Sequence, residues 1–196
     1  MINDKLNPRI VGHVLIRDKI SGEVLVDKHN AINFETMSLA IAMSLADRST
    51  GQIHEMVFGN GASTVSGTGA VTYFPPNVTG TTAQLYNQTY RKVVDDLSPL
   101  NVNPADNYIR VQHTQNATFS DIVITCTLEA SEPASQSVID NATNMEATYV
   151  FDELGLKSFA AIEGTGYLLS HVIFHPVQKS LNRLIEIVYT VSIFMS

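Results

Sequence analysis

The sequence predicts a mainly β protein: an antiparallel, β-sandwich-like domain with one buried α-helix and long extended loops. Three observations carry that expectation. Runs of alternating apolar and polar residues recur along the chain, as strands with one face on a core require. The longest, 182–196 (NRLIEIVYTVSIFMS), puts Ile185, Ile187, Tyr189, Val191, Ile193 and Met195 on one face. A single segment, 34–46, has strong helical character, and stretches rich in Gly, Thr, Pro and Asn separate the rest.

In chain order, IVGHVLIRD (10–18) and EVLVDKH (23–29) flank KISG and form a hairpin around Ser21-Gly22. In the next segment Asn33 is a natural N-cap, with Glu35 in the first turn to complement the helix dipole. Phe34, Met37, Leu39, Ala40, Ile41, Ala42, Met43, Leu45 and Ala46 occupy nearly every face, so the helix is expected to pack beneath other elements. IHEMVFGNGAS (53–63) is a strand entering a glycine turn. Residues 64–84 are Gly-, Thr- and Pro-rich, and Pro75-Pro76 forbids regular pairing there. This stretch is expected to be an extended assembly arm that orders only against other chains. Strands follow in 86–97, 108–115, 117–132, 145–151, 166–175 and 182–196. No linker divides the chain. It is taken as one domain, 1–196: an N-terminal hairpin and helix (1–52), then a β-rich part (53–196) carrying the loop 64–84.

Composition narrows the function. The hydrophobic fraction is 44% and the charged fraction 16%, which supports a packed core and argues against disorder. A net charge of −7 offers no electrostatic footprint for nucleic acid. No apolar run approaches the ~20 residues of a membrane helix, and MINDKLNPRIVGH has no apolar signal core, so neither membrane nor export is expected. The lone Cys126, inside DIVITCTLE, is expected to be a buried strand thiol.

The chemistry-bearing residues do not assemble into a site by spacing. His171 and His175 lie in a β segment, where residues four apart are separated by ~13 Å, too far to share one ion. FGNGASTVSGTG lacks the Lys-Ser/Thr pair of a phosphate loop. Asp152 and Glu153 in YVFDELGLKS are adjacent on a strand and point to opposite faces, whereas paired catalytic carboxylates face each other. The structural expectation is a strand end turning at Gly155, with Asp152 accepting backbone N–H bonds and Glu153 outward or paired with a cation. No catalytic, cofactor or metal residues are nominated.

The order of the segments resembles the N-terminal, baseplate-attaching domains of tailed-phage tail-fibre and tail-collar proteins. Gly59-Asn60-Gly61 takes the place of a glycine turn, and Leu85, Tyr90 and Arg91 that of a second motif. Phe151, Glu153, Gly155 and Leu156 match a third, and Leu169, His171, Phe174, Pro176 and Lys179 a fourth. The likeness covers roughly 53–196. It lies in the order of the motifs rather than in any one of them. It implies a virion structural protein, assembled in the bacterial host, whose partners are other neck, tail, baseplate or fibre subunits and further copies of itself. No fibre shaft or receptor-binding tip is expected after these motifs, and the loop 64–84 is longer than the family pattern. Both departures point to a stand-alone adaptor. A capsid decoration protein is the alternative. A carbohydrate-binding or hydrolytic adsorption protein is disfavoured by the absence of Trp.

Overall fold

A computed structural model describes residues 8–133, 149–180 and 182–195. Strands β1 (Pro8–Asp18) and β2 (Val24–Ile32) form the N-terminal hairpin. Asp18 closes its turn: Oδ1 accepts the Ile20 and Ser21 N–H groups at 2.9 Å each. Helix α1 (Phe34–Leu45) and a single 3-10 turn (Ser49–Gly51) follow. The remaining strands are β3 (Ile53–Gly59), β4 (Ser63–Val65), β5 (Val71–Tyr73), β6 (Gln88–Val93), β7 (Tyr108–Gln112), β8 (Phe119–Leu128), β9 (Tyr149–Ser158), β10 (Leu168–Lys179) and β11 (Ile185–Met195). The protein is mainly β, as its residue pattern predicts. The part of the expected strand 145–151 before Tyr149 lies outside the described residues.

Nine strands make one antiparallel sheet in the order β6-β3-β9-β10-β2-β1-β11-β8-β7, with β4 and β5 paired apart from it. The sheet curls on itself, and β2 makes the corner. Its first part pairs with β1 as far as Asn30, while Ala31 and Ile32 pair with β10. A strand that changes partners in this way lets the two ends of a sheet face each other. The resulting core joins Val14, Ile16, Ile124, Cys126, Leu128, Ile187 and Tyr189 from one half to Met56, Phe58, Phe151, Leu154, Leu156 and Phe174 from the other. Hydrogen bonds also reach across: Lys92 Nζ on β6 donates to Thr127 O on β8 at 2.7 Å.

Three expectations need correction. First, α1 is half-buried, not enclosed. Asn33 caps it as expected, accepting from Thr36 N at 3.3 Å, but only Thr36, Met37 and Ala40 are buried. Phe34, Ala42 and Leu45 are exposed. A helix sitting at the end of a curled sheet has one side to bury, whatever its composition. Second, 64–84 folds onto its own chain. Its first part is the β4–β5 hairpin, in which Ser63 pairs with Tyr73. The rest is a strap that returns to the sheet and buries Ala83 and Leu85 with Val57 and Leu168. Third, β9 does not end at Gly155 but runs to Ser158. Gly155 serves close packing instead: a Cβ there would lie 2.7 Å from Leu168 Cδ1 and from Ser170 O.

Candidate functional site

The largest convergence of motif residues is a buried polar clasp where the strap crosses β9 and β10. Glu153 sits on β9, opposite Gly59 of β3 and Ile173 of β10. Its carboxylate is fully buried, and four donors surround it. The N–H of Asn87 donates to Oε1 at 2.8 Å, that of Gly61 to Oε1 at 3.2 Å, and that of Tyr86 to Oε2 at 2.9 Å. His171 Nε2 lies 3.0 Å from Oε2.

The histidine tautomer follows from its other nitrogen. Nδ1 receives the backbone N–H of Asn77 from the strap at 2.9 Å. An N–H can only donate, so Nδ1 is unprotonated and Nε2 carries the hydrogen given to Glu153. The pair is therefore a carboxylate and a neutral imidazole. The expectation of an outward or cation-paired Glu153 fails, because the strap and the glycine turn supply its partners from above the strand.

Gly59 and Gly61 make room for this arrangement. A Cβ on Gly59 would meet the Glu153 carboxylate and lie 2.5 Å from Asn87 O; one on Gly61 would lie 2.8 Å from Asn87 N. Asp152 holds the same turn one residue further on. It accepts from Ala62 N at 3.2 Å and from the Ser63 hydroxyl. Its role as an acceptor of backbone N–H bonds is as the sequence suggests.

The two acids ionise differently. Burial alone would raise the Glu153 pKa, but the His171 hydrogen bond and the Asn87 and Tyr86 N–H groups outweigh it and hold the carboxyl below its usual range. At Asp152 burial outweighs Ser63 and Ala62, and the pKa is raised. Chemically the clasp is a fastener. The Glu153 lone pairs and both His171 nitrogens are occupied, which leaves neither group free to take a proton from a bound molecule.

Other buried charges are tied into the frame in the same way. Glu55 accepts from Gly164 N at 2.9 and 3.0 Å, and Lys157 Nζ donates to Gly164 O at 2.7 Å and Gln88 Oε1 at 2.8 Å, so both pin the β9–β10 connection. Lys179 Nζ donates to the carbonyls of Ser180 and Ala130 at 3.0 and 3.3 Å, and burial lowers its pKa to about 8. The Cys126 thiol is fully buried, and burial raises its pKa to about 12.

His171 and His175 are not brought together: His171 is in the clasp, while His175 is exposed with Nδ1 3.0 Å from the Tyr73 hydroxyl. Three of the remaining resemblance residues, Tyr90, Phe151 and Phe174, fall into an aromatic cluster. Phe151 lies 5.5 Å from Phe58 and 5.7 Å from Phe174, and Tyr90 lies 5.8 Å from Phe58. An open cleft of about 380 Å³ is lined by Leu25, His175, Pro176, Val177, Gln178 and Arg183. The guanidinium there is already held by Asp18 at 2.8 Å and Glu23 at 3.4 Å. Sequence reasoning missed Asn77, Tyr86 and Asn87, which act through backbone N–H groups and leave no residue-type signal.

No protein-family model, curated protein or solved structure matches the chain. No helix among the described residues is long and apolar enough to cross a membrane.

Proposed function

We propose that the chain is a bacteriophage virion structural protein, a multicopy adaptor of the neck, tail or baseplate that joins tail components or attaches fibres. One observation supports this reading best. Gly59, Gly61, Glu153 and His171, drawn from three of the segments that carry the resemblance, meet in one buried clasp whose acid and base are consumed by internal hydrogen bonds. Those residues serve to build a rigid body. Binding to neighbouring subunits then falls to the surface, where Phe34, Leu45, Leu97, Val102 and Ile162 are exposed. Individually weak contacts of that kind gain strength when repeated around a ring.

The test is the composition of purified particles from cells that make the protein. Mass spectrometry and antibody labelling under the electron microscope are expected to find it at the tail or neck, in a low-order ring. Hundreds of copies over the shell would make it a decoration protein instead, and particles that lack it would remove the reading altogether. Incubation with host polysaccharide or peptidoglycan is expected to release no fragments. Cleavage that disappears in Glu153→Gln would restore a catalytic role to the acid.

A further inference from the structure

The part of the strap that reaches His171, residues 75–82, is held by hydrogen bonds more than by apolar contact. Asn77, Val78 and Gly80 are half-buried, and the other five positions are exposed. The Asn77 N–H donates to His171 Nδ1 at 2.9 Å, and Gly80 O accepts from Asn33 Nδ2 at 2.9 Å. A segment tied down by so few contacts opens locally at low cost.

The bond to Asn77 depends on the charge of the ring. His171 accepts at Nδ1 only while it is neutral, because its single N–H hydrogen is on Nε2, 3.0 Å from Glu153 Oε2. A second proton can enter only at Nδ1, where it would confront the Asn77 N–H. The closed strap and the imidazolium therefore exclude each other. The open strap and the imidazolium do not, since the Glu153 carboxylate remains beside Nε2. That carboxylate keeps its Tyr86 and Asn87 donors, which lie beyond the segment, and its pKa is held below the usual range, so it stays charged while histidines titrate. We infer that His171 makes residues 75–82 an acid-opened latch: a proton at Nδ1 expels the Asn77 N–H and the segment lifts, while Tyr86 and Asn87 stay fastened to Glu153.

The surroundings of the ring supply no competing switch. From β9 the charge that faces it is Glu153; Asp152 is turned to Ala62 and Ser63. Further along β10, His175 bonds Tyr73 instead. On β2 the residue opposite is Ala31, and His29 bonds Gly12 O. Strand β3 places Gly59 beside Glu153, and Glu35 of α1 is exposed. The Tyr86 ring lies 5.9 Å from that of His171, and residues 74–85 carry no charged side chain. Opening takes up one proton, so the open population rises about tenfold for each pH unit once histidine is in its charging range.

The experiment is amide hydrogen exchange of the full chain, read residue by residue by NMR as the pH is lowered. Base-catalysed exchange slows in proportion to hydroxide, and amides in β11 should slow in that proportion. The Asn77 amide should instead hold a nearly level rate between about pH 6 and pH 5, because opening rises about tenfold over the same unit. His171→Gln keeps an acceptor and a donor but cannot gain the proton, so its Asn77 amide should slow in step with β11. His175→Gln should behave as wild type. Nitrogen-15 signals of the ring report the tautomer in the wild-type chain, so the test stands even where the glutamine variant does not fold: Nδ1 should gain its proton in step with Asn77 opening. Slowing of Asn77 in parallel with β11 in wild type, a level profile that survives in His171→Gln, or a ring that stays neutral while Asn77 opens would each overturn the latch.

Discussion

Asp152 and Glu153 are chain neighbours with opposite electrostatic consequences. The Glu153 carboxyl is depressed, so its contribution to stability is complete above the unfolded value near 4.5 and is lost as pH falls through the lower folded value. Asp152 is raised. Its protonated form favours folding below the unfolded value near 3.8, and that advantage disappears as pH rises through the folded value. At pH 7 Glu153→Gln is expected to destabilise by about 2–4 kcal/mol, since an amide nitrogen would confront backbone donors. Asp152→Asn can keep an acceptor for Ala62 N and is expected to change stability by less than about 1 kcal/mol. Urea melts at pH 7 and pH 3 test both, and the Glu153→Gln deficit should shrink at the lower pH. The Cys126 thiol, its pKa raised to about 12 by burial, is expected to resist an aromatic disulfide reagent in the native protein and to react fully in denaturant.

Among elements, helix and strap give the sharpest contrasts. Ala40 is 4% exposed and faces the sheet, whereas Ala42 on the same helix is open to solvent. Ala40→Asp is expected to lower stability by several kcal/mol through a buried unpaired charge. Ala42→Asp should melt within about 0.5 kcal/mol of wild type. The strap 74–85 is held by the Asn77–His171 and Phe74 N–Ala62 O bonds, both 2.9 Å, and by buried Ala83 and Leu85. Limited proteolysis of the free protein should therefore cut the exposed β4–β5 tip, 66–70, and spare the strap. Rapid cleavage within 77–85 would mean that the strap is ordered only by other chains.

At the scale of the molecule, the strand latest in sequence is an internal strand of the sheet. Strand β11 pairs with β1 on one side and β8 on the other over nearly its whole length. It also brings Ile185, Ile187, Tyr189 and Val191 into the core. Its pairing with β1 closes a loop of almost the full chain, and such distant contacts make folding slow. Removing 185–196 is expected to leave the protein unfolded by circular dichroism, because β1 and β8 lose their shared partner and the core loses four buried side chains. Deleting only the tip 66–70 should leave the β spectrum and the cooperative melt intact.

The strands of the large sheet, the N-terminal hairpin, the capped helix and the buried thiol were legible in the sequence because each depends on local pattern: period-two alternation, a turn dipeptide, a side-chain cap. Alternation along β11 named its inward residues Ile185, Ile187, Tyr189 and Val191, since on a strand the face is fixed by parity alone. Local pattern could not supply what lies across the chain. Helix α1 is apolar on almost every side, but which side finds a partner depends on where the sheet curls. The fates of Glu153 and of the strap were set by backbone N–H groups at 61, 77, 86 and 87, which every non-proline residue carries. A hydrogen bond made by the main chain has no signature in residue type, so only the tertiary structure could decide that the acid is buried and that the strap closes over it.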